Sequence, residues 1–171
     1  MNTFLGLSNK IDALSEWTGK VFSYLLIPLT LCVVFEVVTR SFDRPTIWTF
    51  EMSNFLYGSH FMLVAAYGLL MKSHVGIDLI ASRFSMKTQA ICSLICYACM
   101  YFPFIAVFTY FGFEYSYNSW SLLENSWSAW GPPLYFIKTA IPLTAVLLIL
   151  QGISEVIKTI DVLVQEKEVS Q

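Results

Sequence analysis

The chain has 171 residues, of which 56% are hydrophobic and only 13% charged. That is about half the charge of an ordinary soluble domain, too little polar surface for a water-soluble globule, while the apolar content excludes disorder. Ten basic against twelve acidic residues give a formal net charge of -2, so no basic surplus is available to hold a nucleic acid.

The charges sit between long silent runs. No charge falls between Lys20 and Glu36, Glu51 and Lys72, Lys87 and Glu114, or Lys138 and Glu155. A crossing needs about 20 mostly apolar residues to span roughly 30 Å of hydrocarbon. The reading is an all-α membrane protein, one domain over residues 1–171. Its four transmembrane helices are predicted at roughly 18–39, 49–72, 88–113 and 134–156.

In chain order, the first segment carries an apolar stripe of Leu7, Ile11 and Leu14 beside Lys10, Asp12 and Glu16. It is expected to lie flat on the inner leaflet. No cleavable leader is expected, because acids stand in the opening segment and no small-residue cleavage site follows the first apolar run. Pro28 interrupts the first span, and the carbonyl it frees needs another partner in lipid. Glu36 and Arg40 are one turn apart at the far end of that span, Asp43 and Arg44 follow, and Trp48 and Glu51 open the second. A carboxylate at this depth is costly alone. Glu36, Arg40, Arg44 and Glu51 are therefore expected to form an ion-pair cluster tying the first hairpin together, with Asp43 and Trp48 beside it on a structural or docking face.

His60 falls mid-span and is expected to bond a neighbouring helix rather than relay protons. At the end of the second span, Lys72-Ser73-His74-Val75-Gly76-Ile77-Asp78 reads as a helix exit followed by a cap. A second amphipathic stretch, Ile77 to Phe84, follows. Lys72, Arg83 and Lys87 are placed to hold anionic lipid headgroups. Pro103 and Pro142 fall inside the third and fourth spans, and Pro132-Pro133 at the start of the fourth. The stretch 161–171 is expected to be a frayed helical tail.

Lys and Arg are biased seven to three: Lys10, Lys20, Lys72, Arg83, Lys87, Lys158 and Lys167 against Arg40, Arg44 and Lys138. The positive-inside rule then predicts both termini in the cytoplasm, and the 40–48 and 114–133 loops outside. Trp120, Trp127, Trp130, Tyr115, Tyr117 and Tyr135 crowd the second outer loop, as an interfacial belt does.

Chemistry finds little footing. There is no nucleophile elbow and no phosphate-cradling glycine loop, so no catalytic residue is assigned. Cys32, Cys92, Cys96 and Cys99 all lie within spans and read as small apolar residues; no metal site and no cofactor is assigned. His60 and His74 are about 21 Å apart along one helix, too far to ligate one haem iron together.

The string Val33-Val34-Phe35-Glu36-Val37-Val38-Thr39-Arg40, then Pro45, Trp48 and Glu51, then Ala65-Ala66-Tyr67-Gly68, Lys72, His74-Val75 and Ile77-Asp78, resembles one family. It is similar to the small membrane (Q, DctQ-type) subunit of tripartite ATP-independent periplasmic (TRAP) transporters. That pattern often has two adjacent acids after the Trp; here Phe50 takes the first place. The resemblance marks Lys72, His74 and Asp78 as an inner-face family motif. It implies a non-enzymatic small permease subunit in the bacterial inner membrane, part of a sodium-coupled importer of organic acids such as sialic acid or dicarboxylates. It implies a large membrane (M) subunit as obligate partner, moving as an elevator against a scaffold that this chain enlarges. It also implies a transient periplasmic substrate-binding protein, which the small subunit helps to dock. Two other readings compete: a stand-alone proton-coupled four-helix exporter, which needs a carboxylate near mid-span, and a membrane anchor of a redox enzyme, which the histidine spacing opposes.

Overall fold

The computed structural model describes residues 2–71 and 85–169, with side chains over 4–71 and 85–165. Seven α-helices run through these residues: α1 (Asn2–Ser23), α2 (Leu26–Ser41), α3 (Thr49–Leu70), α4 (Met86–Cys96), α5 (Phe102–Ser121), α6 (Tyr135–Lys138) and α7 (Ala140–Val169). A π-helical turn, Tyr97–Tyr101, joins α4 to α5. Among the described residues, three stretches are long and apolar enough to cross a membrane: Phe4–Ser41, Met86–Ser121 and Tyr135–Gln165. Helix α3 has the length, but Glu51, Ser53, Asn54, Ser59 and His60 make it more polar.

Proline sets the breaks. The Pro28 ring clashes with the carbonyl four residues back, that of Tyr24, and has no N–H to offer it. The chain tightens there: Leu25 donates to the Phe22 carbonyl at 3.1 Å and Ile27 to the Tyr24 carbonyl at 3.0 Å. Pro142 acts the same way. It lies inside the apolar stretch Tyr135–Gln165, as expected, and stands in the first turn of α7, just after the break between Lys138 and Ala140. At the other end α7 runs on to Val169, so residues 161–169 form the helical tail expected there. Ser85 caps α4, its hydroxyl accepting from the Thr88 N–H at 3.3 Å.

The first segment is a helix of its own, broken from α2 after Ser23, and it packs on α3 and α7. Its buried side is Ser8, Ile11, Ser15 and Thr18, while Phe4, Leu7, Leu14 and Trp17 are exposed. Small hydroxyl side chains let helices approach closely in lipid and leave the bulky apolar groups outside. Two glycines carry the tightest approaches. A Cβ on Gly19 would lie 2.3 Å from Tyr67 Cβ, and one on Gly152 would lie 2.3 Å from Tyr101 Cε1. The Tyr101 ring thus lies over Gly152, and its hydroxyl donates to the Leu148 carbonyl at 2.7 Å. Helices α3 and α7 form the centre, where Ala66, Leu63, Ala145 and Leu147 are buried.

The start of α1 meets the latter half of α7, and Ser8 Oγ lies 2.7 Å from Ser154 Oγ. This is the terminal end of the bundle. The loops 42–48 and 122–134 gather at the opposite end, the loop end.

Candidate functional site

At the loop end, each acid holds a loop. Glu36 Oε1 accepts from Arg40 Nε at 2.6 Å, the one-turn pair read from the sequence. Its Oε2 accepts from the Thr46 N–H at 3.4 Å and from the Thr46 hydroxyl, which also bonds the Thr49 hydroxyl. Glu36 thereby closes the turn between α2 and α3. Asp43 works through its backbone: at φ 55° it takes the left-handed position that ends a helix, its N–H donating to the Arg40 carbonyl at 3.0 Å. An Asp tolerates that conformation better than most residues. Arg44 returns its N–H to the Thr39 carbonyl at 3.0 Å.

Glu51 does not join this group. Its carboxylate accepts from the Ser126 hydroxyl and, at 2.7 Å, from the Ser128 hydroxyl. Ser128 Oγ in turn accepts from the N–H groups of Trp130 and Gly131 at 3.2 and 3.1 Å. The expected four-residue cluster therefore divides: Glu36 with Arg40 on one side, Glu51 with the 122–134 loop on the other. The reason is competition. Two serine hydroxyls on a folded-back loop satisfy Glu51 without desolvating a guanidinium. Trp48 joins the two halves, its ring centroid 5.9 Å from Phe35 and 6.4 Å from Trp130.

A third acid, Glu124, was not singled out in the sequence. It accepts from the Ser119 hydroxyl at 2.8 Å and from the Lys138 ammonium, which stands 4.1 Å from the Tyr115 ring centroid. These hydrogen bonds, that of Lys138 foremost, hold the Glu124 carboxyl below its usual range. Trp120 Nε1 donates to Thr139 Oγ1 at 2.8 Å, and its ring centroid lies 4.6 Å from that of Tyr135.

At the terminal end a second polar set lies between helices. Lys158 Nζ is 2.8 Å from Asp12 Oδ2 and 2.6 Å from Glu155 Oε1. Ser154 donates to Asp12 at 2.7 Å, and Gln151 donates to Asp12 at 3.1 Å and to Glu155 at 3.3 Å. Gln151 and Ser154 are fully buried. Asp12 was read as part of an interfacial helix, and Lys158 entered only the charge count. Their separation of 146 residues left no local signal.

His60 Nδ1 lies 3.0 Å from the Phe22 carbonyl oxygen, so the tautomer protonated on Nδ1 donates to a carbonyl that also accepts from the Leu25 N–H. This is the helix-to-helix bond expected of it. Lys72, His74, Asp78 and Arg83 lie outside the described residues, so the inner-face motif and most of the lipid-headgroup set do too. Lys87 is exposed on the first turn of α4. Cys32, Cys92, Cys96 and Cys99 are free thiols.

Long apolar helices, polar groups spent on bonds between segments, and bulky apolar side chains facing outward define an integral membrane protein. Within that class, residues 29–161 match the family model described as tripartite ATP-independent periplasmic transporters, DctQ component. The chain belongs to this family, that of the small permease subunit of a TRAP transporter. No curated protein matches it.

Proposed function

We propose that this chain is the fixed brace of a sodium-coupled organic-acid importer, bound to a large elevator-type membrane subunit that carries the solute. The supporting observation is where its apolar surface goes. In the most apolar part of Phe4–Ser41, no residue is buried within the chain. A face that long, on a bundle whose carboxylates Glu36, Glu51 and Glu124 are already bonded, is suited to gripping lipid and a larger protein rather than conducting a solute.

On this reading the chain crosses the bacterial inner membrane four times, α3 supplying the crossing that is least apolar, with both termini cytoplasmic. The seven-to-three bias of Lys and Arg supports that orientation. The loop end then faces the periplasm, where Asp43, Arg44 and the Trp48–Trp130 pair present a surface for the substrate-binding protein. The solutes are organic acids of the sialic acid or dicarboxylate kind. The exporter alternative needs a carboxylate near the middle of the first span, free to exchange a proton for a cation; Glu36 stands toward the end of that span and is engaged by Arg40 and Thr46.

The test is uptake in cells lacking only this chain, together with its co-purification with a large multi-span subunit. Loss of uptake and a stable pair support the brace. Full uptake by the large subunit alone, or solute flux through vesicles holding only this chain, overturns it.

A further inference from the structure

A groove of ≈ 610 Å³ runs along α5 and is lined chiefly by aromatic and aliphatic side chains. Its floor is cut at Gly112, where α7 comes so close that a Cβ would stand 3.0 Å from Ile141 Cγ2. The Phe104 and Phe108 rings stack along it, centroids 6.3 Å apart and nearly parallel at 12°. One end is polar: Glu114 and Asn118 line it, both exposed. Among the described residues neither side chain has a hydrogen-bond or ionic partner.

The dimensions match one leaflet. Ten residues from Phe104 to Glu114 rise about 15 Å, half of a hydrocarbon core of about 30 Å. Glu114 is also the residue that ends the longest uncharged run in the chain, 26 residues after Lys87. It therefore stands where hydrocarbon gives way to headgroups, with an apolar channel below it. A carboxylate there is costly unless a cation meets it.

We propose that this groove binds one phospholipid whose headgroup ends in a primary ammonium. The acyl chain lies along Phe104, Val107, Phe108 and Phe111, and the ammonium donates hydrogen bonds to the Glu114 carboxylate and the Asn118 amide oxygen. An anionic headgroup is repelled by Glu114. A quaternary ammonium has the charge but no N–H to donate.

The experiment is native mass spectrometry of the full chain released from detergent micelles. These contain equal amounts of phosphatidylethanolamine, phosphatidylglycerol and phosphatidylcholine. The expected result is about tenfold greater retention of phosphatidylethanolamine than of phosphatidylglycerol, the ratio one charge-assisted hydrogen bond supplies. Glu114→Gln removes that preference while helix content by circular dichroism stays unchanged. Val107→Trp, filling the groove from an exposed position, lowers retention of phosphatidylethanolamine. Three results overturn the proposal: no retained lipid, equal retention of the three, or a preference that Glu114→Gln leaves intact. If Glu114→Gln instead releases a larger membrane subunit while lipid retention is indiscriminate, the groove belongs to a protein helix and the proposal also fails.

Discussion

The two ends of the bundle use the same residue types for different tasks. At the loop end, Glu36, Glu51 and Glu124 each fasten a nearby loop, taking bonds mainly from Ser and Thr hydroxyls at exposed or half-buried positions. At the terminal end, Asp12 and Glu155 share the single ammonium of Lys158, and the bonds join helices that are neighbours only after the chain has folded. The lesson concerns context. A carboxylate beside a loop finds hydroxyls and backbone N–H groups that cost little to desolvate, and Glu36 and Glu124 each add a cation of their own, Arg40 and Lys138. A carboxylate between helices needs a cation and a buried amide to offset burial. The loop end is therefore locally adjustable, whereas the terminal end stands or falls with the bundle.

The largest effect is expected at the close helix approach next to the terminal end. Gly19→Val places its side chain against Tyr67 Cβ, close to the backbone of α3 where little can yield. It should destabilise by about 3 kcal/mol, read as a lowered melting temperature in detergent. A stability near that of the parent would mean the helices are not held together there. Next is Lys158→Met, which leaves Asp12 and Glu155 facing each other. About 2 kcal/mol of lost stability is expected, below the cost for a fully buried pair because a third of the Lys158 side chain reaches solvent. A neutral outcome would erase the distinction between the ends.

Smaller effects should appear at the loop end. Glu51→Gln keeps one acceptor oxygen and loses the charge, so about 1 kcal/mol is expected. It should show as faster amide exchange at Ser128–Gly131 with the helices unaffected. Exchange that accelerates through α7 as well would show the loop end to be as integral as the terminal end. Smaller still is the coupling between Arg40 and Glu51. They share no partner, so a double-mutant cycle should be additive within about 0.5 kcal/mol. Coupling above about 1 kcal/mol would restore the four-residue cluster expected from the sequence. Last is acid. The Glu124 carboxyl is held below its usual range by Lys138 and Ser119, so its contribution is complete above the unfolded value of about 4.3. That contribution fades as pH falls through the lower folded value. Exchange in the 122–134 loop should hold steady from neutral to about pH 5 and rise below about pH 4.

Much of this organisation was legible in the sequence because it rests on local rules. Uncharged runs marked the long helices, the one-turn spacing of Glu36 and Arg40 marked their pair, and Pro28 marked the break between α1 and α2. What escaped has a shared physical cause. Glu51 and Ser128 are 77 residues apart and Asp12 and Lys158 are 146, and no periodicity connects them. The buried side of α1 escaped for another reason. An apolar stripe in a surface helix normally points inward, but here hydrocarbon surrounds the bundle and the hydroxyl side is the one that packs. The π turn at Tyr97–Tyr101 has no composition that announces it, and it places Tyr101 over Gly152 all the same.

The inverted dress of α1 bears on how the protein comes to exist. With Ser8, Ser15 and Thr18 turned to its neighbours and Phe4, Leu7, Leu14 and Trp17 turned away, the helix has no arrangement that would satisfy water. A newly made copy kept in an aqueous compartment would gather through those outward groups with its own kind. Its assembly must begin after delivery into an oily phase, so insertion comes before the closing of the two chain ends upon each other.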